Sequence, residues 1–226
     1  MRLIIFILSL LICSCNYLIK PKSKIVDNNF ATAIRRQCPI CIDKDNYLTK
    51  NADTLTVLHA INLNITTLEG FNFKGLIEFN CEINEITTLP DNLPASLEIL
   101  VCSNNQITAL PNILPANLQV LYVSNNKLTA LPNNLPINLN SLDCSFNQLT
   151  ALPNNWPNNL DYLNCMNNRL TALPDSLPAS LMVLSCNDNQ ITILPNTLPA
   201  NLAHFHYDKN LITTLPANFP KYLNEE

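Results

Sequence analysis

The sequence predicts a solenoid in which short parallel β-strands stack into a concave sheet, backed by an extended, proline-rich convex side. Three observations lead there. Segments beginning at Leu55, Leu76, Leu97, Leu118, Leu139, Leu160, Leu181 and Leu202 align on one another at a constant shift of 21 residues. Within each segment apolar and polar side chains alternate over a short stretch, the period of a strand. Later in most segments two prolines stand four residues apart, which removes two backbone donors and excludes a regular helix. A fixed period of this length marks a stacked array whose units bury their apolar faces on one another.

The N-terminus reads as an address. Residues 1–15, MRLIIFILSLLICSC, place one basic residue before an apolar run and end on a cysteine preceded by small residues, the form of a secretory signal. Ile12, Cys13, Ser14 and Cys15 resemble a bacterial lipobox. That resemblance implies a signal peptide over 1–14, cleavage after Ser14 and a lipid on Cys15, which would hold the rest of the chain on a membrane. The competing reading is an uncleaved helix over 3–19 or an ordinary signal peptide, with Lys20, Lys22 and Lys24 favouring a cytoplasmic side for the remainder of the chain. Residues 15–54 then serve as linker and N-terminal cap over the open edge of the first repeat.

The eight repeats fill residues 55–222, with residues 223–226 as a tail. A representative unit is LEILVCSNNQITALPNILPAN, residues 97–117, and the consensus is LxxLxCxxNxLTxLPxxLPxx. Positions 1, 4 and 6, here Leu97, Leu100 and Cys102, point inward. Position 9 is Asn84, Asn105, Asn126, Asn147, Asn168, Asn189 or Asn210 in every unit but the first, where Leu63 stands. An amide offers both donor and acceptor, so a column of them satisfies the backbone where each coil leaves the sheet. The first unit also has Glu69 in place of proline, and Phe71 and Phe73 in its convex half, as a capping unit should.

The unit resembles the short bacterial type of leucine-rich repeat, known from secreted effectors of Gram-negative pathogens, among them effector ubiquitin ligases. The resemblance implies a protein-binding module. In the ligases a separate catalytic domain with a nucleophilic cysteine follows the repeats, whereas here only Leu223, Asn224, Glu225 and Glu226 remain, so no enzyme activity and no cofactor are expected.

The nine cysteines fall into separate settings. Cys81, Cys102, Cys144, Cys165 and Cys186 occupy repeat position 6, where Val123 and Ala60 also occur, so they read as small buried hydrophobes. Cys38 and Cys41, in QCPICID, resemble the opening of a RING or U-box zinc module, but six further ligands in order are missing. The pair forms either a local disulfide or free thiols. A ubiquitin-pathway component built on this segment is the alternative reading of function, and a self-assembling surface protein is another. His204 and His206, at positions 3 and 5 of the last unit, stand side by side with Asp208 near, and no metal site is expected there.

The exposed side of the sheet is the expected binding surface, built from positions 3, 5, 7 and 8. Its middle combines Ile99, Val101, Val120, Tyr122, Phe146, Tyr162 and Met166, apolar side chains that face outward by register. Acidic residues including Glu78, Glu82, Asp143 and Asp188 border them, so the expected protein partner has basic character. The net charge of −4 offers no field for nucleic acid. The expected location is a membrane-anchored lipoprotein in the periplasm or on the cell surface, with secretion as the alternative.

Overall fold

The computed structural model describes residues 23–215 and residue 219. Cys15, and with it the whole signal and lipid-attachment reading, lies outside the described residues, as does the tail 223–226. Eight three-residue strands run in chain order through one parallel sheet: β1 Val57–His59, β2 Glu78–Asn80, β3 Ile99–Val101, β4 Val120–Tyr122, β5 Ser141–Asp143, β6 Tyr162–Asn164, β7 Val183–Ser185 and β8 His204–His206. Each residue pairs with the one a full repeat later, as Leu58 does with Phe79 and Leu100 with Leu121. The unbroken period thus becomes an unbroken register, because a slip of one residue would turn every buried leucine to solvent.

Positions 1, 4, 6 and 11 form the core. In the third unit Leu97, Leu100, Cys102 and Ile107 are fully buried. The coils stay tied to one another beyond the strands: the Cys102 N–H donates to the Tyr122 carbonyl at 2.8 Å and the Asn104 N–H to Ser124 at 2.9 Å. On the convex side the second proline of each LPxxLP begins the return to the sheet. The N–H of Leu118 donates to the Pro115 carbonyl at 3.1 Å, and Leu139 does the same to Pro136 at 3.0 Å. Proline suits a segment that has no ladder to join, since it brings no donor that would need a partner.

Ahead of β1 a ten-residue helix, α1 (Asn28–Gln37), is capped by Asp27, whose Oδ1 accepts from the N–H groups of Asn29 and Phe30. The helix buries Phe30 and Ile34, and Phe30 meets Phe71, Phe73 and Phe79 at ring separations of 6.2–6.4 Å. The aromatics that set the first repeat apart are therefore the seat of this helix. The chain's two glycines mark where the N-terminal segment crosses that repeat: a Cβ on Gly70, at φ +88°, would run into the Lys24 carbonyl, and one on Gly75 into that of Asp53. At the end of α1 the Gln37 amide behaves as a strand: its Oε1 accepts from the His59 N–H at 2.8 Å and its Nε2 donates to the His59 carbonyl. The edge of β1 is closed by a side chain, which blunts it as a template for another chain.

Candidate functional site

Every strand buries its central residue and turns the flanking two toward solvent. Two rows result. One runs Ile99, Val120, Ser141, Tyr162, and the other Val101, Tyr122, Asp143, Asn164. The structure brings Ile99, Val101, Val120 and Tyr122 together as direct neighbours on β3 and β4. Tyr162 and Met166 lie on the far side of β5, whose Ser141 and Asp143 separate them from that group. The Tyr122 hydroxyl reaches across to Ser141 Oγ at 3.1 Å.

Position 7 is less exposed than expected in two units. Ser103 and Ser145 are 5% and 2% exposed, and Ser103 accepts from the Ser124 hydroxyl at 2.9 Å. One residue on, every unit takes a left-handed backbone: φ is 54° at Asn62, 56° at Asn104, 51° at Asn125 and 52° at Asn167. The turn directs position 8 outward, and beside it Ser103 and Ser145 are covered while Ile61 and Asp208 stay exposed. Asparagine tolerates this conformation, and its recurrence at position 8 was the available signal. Ile83 and Phe146 occupy the same conformation, at φ 57° and 51°, with 47% and 49% of their surface exposed. Bulky and β-branched residues are strained there, so the patch residue Phe146 is held outward against a backbone preference.

The residues that the repeat assigns to structure behave so. Asn126 Oδ1 accepts from the Ile107 N–H at 2.8 Å, while Nδ2 donates to the carbonyls of Cys102, Val123 and Ser124 at 3.0–3.2 Å. Asn105, Asn147, Asn168 and Asn189 repeat the pattern at 8–9% exposure. The five position-6 cysteines are buried free thiols. Burial, then Cys165 and Asp143, push the Cys144 thiol well up, and burial alone pushes Cys186 up to about 12. Neutral, enclosed thiols supply neither a nucleophile nor a metal ligand.

Cys38 and Cys41 are joined by a disulfide at the C-terminal end of α1. Both sulfurs are taken up in that bond, and no group of three or more His, Cys, Asp or Glu among the described residues is arranged to hold a metal. His204 and His206 project from β8 on either side of buried Phe205. His59 lies 2.8 Å from Glu78 at the opposite end of the sheet. On the convex side the Trp156 indole N–H is buried with no hydrogen-bond partner among the described residues, in a position that is leucine in five of the other repeats. Nothing in the repeat pattern signals that site. Among the described residues no helix is long and apolar enough to cross a membrane.

Comparison with known proteins agrees with this architecture. The family model described as Leucine Rich Repeat matches residues 117–136. A leucine-rich-repeat domain of a Shigella effector is 38% identical over 62% of this chain and 61% of its own, with a TM-score of 0.57. YopM, a leucine-rich effector protein from Yersinia pestis, is 30% identical over 74% of this chain and 53% of its own, with a TM-score of 0.61. A leucine-rich-repeat protein of Leptospira interrogans is 25% identical over 73% and 51%, also with a TM-score of 0.61. The chain therefore spans less than two thirds of the length of each. No curated protein matches it in sequence. By strand order, register and repeat, the chain is a leucine-rich-repeat solenoid, similar to bacterial leucine-rich effectors.

Proposed function

We propose that the chain is a non-enzymatic binding module that takes a protein partner on the exposed face of its sheet, and that a lipid on Cys15 holds it at a bacterial membrane or cell surface. The observation that carries the first part is Phe146. A half-exposed aromatic ring kept in a left-handed backbone costs stability, and such residues cluster at recognition sites. It lies three residues beyond β5, with its N–H donating to the Met166 carbonyl at 3.0 Å, on the face that also carries Tyr122 and Tyr162, the kind of side chains that anchor interfaces. The rigid sheet beneath them is already ordered, so little entropy is lost on binding. Similarity to bacterial effectors supports an exported role facing a host or the cell exterior. The anchor rests on the lipobox-like residues Ile12, Cys13, Ser14 and Cys15 alone.

The test is recovery of partners from envelope and eukaryotic cell extracts by the native chain against Tyr122→Asp and Tyr162→Asp, with thermal melts confirming that the variants fold. Partners retained by the native chain and lost by both variants are expected; equal recovery sinks the reading. In the producing cell, Cys15→Ser should move the protein out of the membrane fraction, and unchanged fractionation removes the anchor.

A further inference from the structure

The apolar rows of the sheet face are broken at β5, and the break is shaped. Ser141 and Asp143 stand between Val120 and Tyr122 on one side and Tyr162 and Asn164 on the other. Short side chains between two tyrosines leave a notch. One wall is Tyr122, which leans diagonally over β5 to bring its hydroxyl within 3.1 Å of Ser141 Oγ. The other is Tyr162, half-buried on β6. The Tyr162 phenol is pushed above its usual range by burial first and by the Asp143 carboxylate second, which puts ring and carboxylate within electrostatic reach.

Asp143 is oriented. Its Oδ1 accepts from the Ser145 N–H at 3.0 Å and from the Ser145 hydroxyl at 2.6 Å. Ser145 itself is buried, so this hold does not depend on a mobile surface group. Oδ2 has no hydrogen bond or ion pair among the described residues. The lysines and arginines of the repeats are Lys74, Lys127, Arg169, Lys209 and Lys221, and none stands at position 3, 5 or 7 of a unit. Lys74 pairs with Asp53, Lys209 with Asp188, and Lys127 donates to Gln106. Of the other acids of this face, Glu78 meets His59, Glu82 meets Asn104 and Asp188 meets Lys209, while Asp208 lies three repeats away. An oriented carboxylate with no ion-pair partner among the described residues, flanked by two aromatic rings, is complementary to a planar cation.

We propose that this notch binds a single arginine side chain, presented by an extended segment of the protein partner, with its guanidinium between Tyr122 and Tyr162 and paired to Asp143. Arginine fits better than lysine because its flat, weakly hydrated head stacks on aromatic rings while its fork of donors addresses a carboxylate. Phe146, three residues beyond Asp143 and half-exposed, offers an apolar surface to residues further along the bound segment. The inference rests on the reading that this face takes a protein, and it names the residue type that the partner must present.

The test uses acetyl-Gly-Arg-Gly-amide titrated into the full chain and followed by NMR, with the lysine tripeptide and the uncharged citrulline tripeptide as controls. Saturable shifts at Tyr122, Ser141, Asp143 and Tyr162 are expected for arginine, weaker ones for lysine and none for citrulline. Asp143→Asn keeps the Oδ1 acceptor for Ser145 and therefore the fold, and should lower arginine affinity by about tenfold or more. Tyr162→Leu should do the same without changing the charge. Equal binding of arginine and citrulline, an unaffected Asp143→Asn variant, or shifts that map elsewhere overturn the proposal. Partner recovery separates the two readings. A partner lost with Tyr122→Asp but kept with Asp143→Asn overturns the notch and leaves the binding face standing. Arginine-specific shifts at the notch with no partner recovered support the notch and count against the broader reading.

Discussion

At the scale of single residues, the sheet face is shaped by what the left-handed position does to its neighbours. Position 8 suits asparagine, and Asn62, Asn104, Asn125 and Asn167 occupy it without strain. Phe146 does not, and a bulky side chain there costs on the order of 1 kcal/mol. Phe146→Asn is expected to raise the unfolding free energy by about that amount, read as a higher urea midpoint with an unchanged slope. The same variant should recover less partner. A variant that is no more stable than the native chain shows that Phe146 stores no strain. Repetition made the cysteines legible as core, because Val123 and Ala60 interchange with them. The asparagines of position 8 carried an equally clear backbone preference, but its consequence for Ser103 and Ser145 depends on the coil stacked alongside.

At the scale of elements, the helix α1 and the first repeat are joined through one carboxylate. Asp27 Oδ1 caps α1, and Oδ2 accepts from the Thr66 N–H at 2.9 Å and the Thr66 hydroxyl at 3.1 Å. Burial raises its pKa, but the hydrogen bonds from Thr66, Phe30 and Asn29 outweigh that and hold it below the ordinary carboxylate value. The folded pKa is thus lower than the unfolded one. The stabilisation is complete above the unfolded pKa, about 3.9, and is lost as pH falls through the folded value. Asp27→Asn should therefore be less stable than the native chain at pH 7, by at most about 1 kcal/mol because solvent screens a half-exposed group. The gap should close as the pH falls toward 3. A gap independent of pH would assign the cap to geometry rather than charge. The phenylalanines that seat this helix, Phe71 and Phe73, stand out in the sequence as departures from the repeat. Gln37, which closes the edge of β1, does not, because a side chain that imitates a strand leaves no local pattern.

At the scale of the whole molecule, stability is a sum over stacked neighbours, so a defect costs according to how enclosed its coil is. Asn126, between two complete coils, serves four backbone groups in the interior, and Asn126→Ala should cost on the order of 3 kcal/mol. Asn210 makes the same kinds of bond to Ile191, Cys186 and Tyr207 but is only partly buried, so water replaces much of what Asn210→Ala removes, at a cost of about 1 kcal/mol. Equal losses in chemical denaturation would mean that the ladder is not read coil by coil. The sequence by itself determined the solenoid, its register, its core and its asparagine ladder, because a repeat places the same residue in the same environment many times over. Only the tertiary structure decided how those exposed side chains lean. Register sets Tyr122 opposite Asp143, yet its hydroxyl reaches Ser141, because a side chain's rotamer answers to the packing around it and leaves no trace in a repeat pattern.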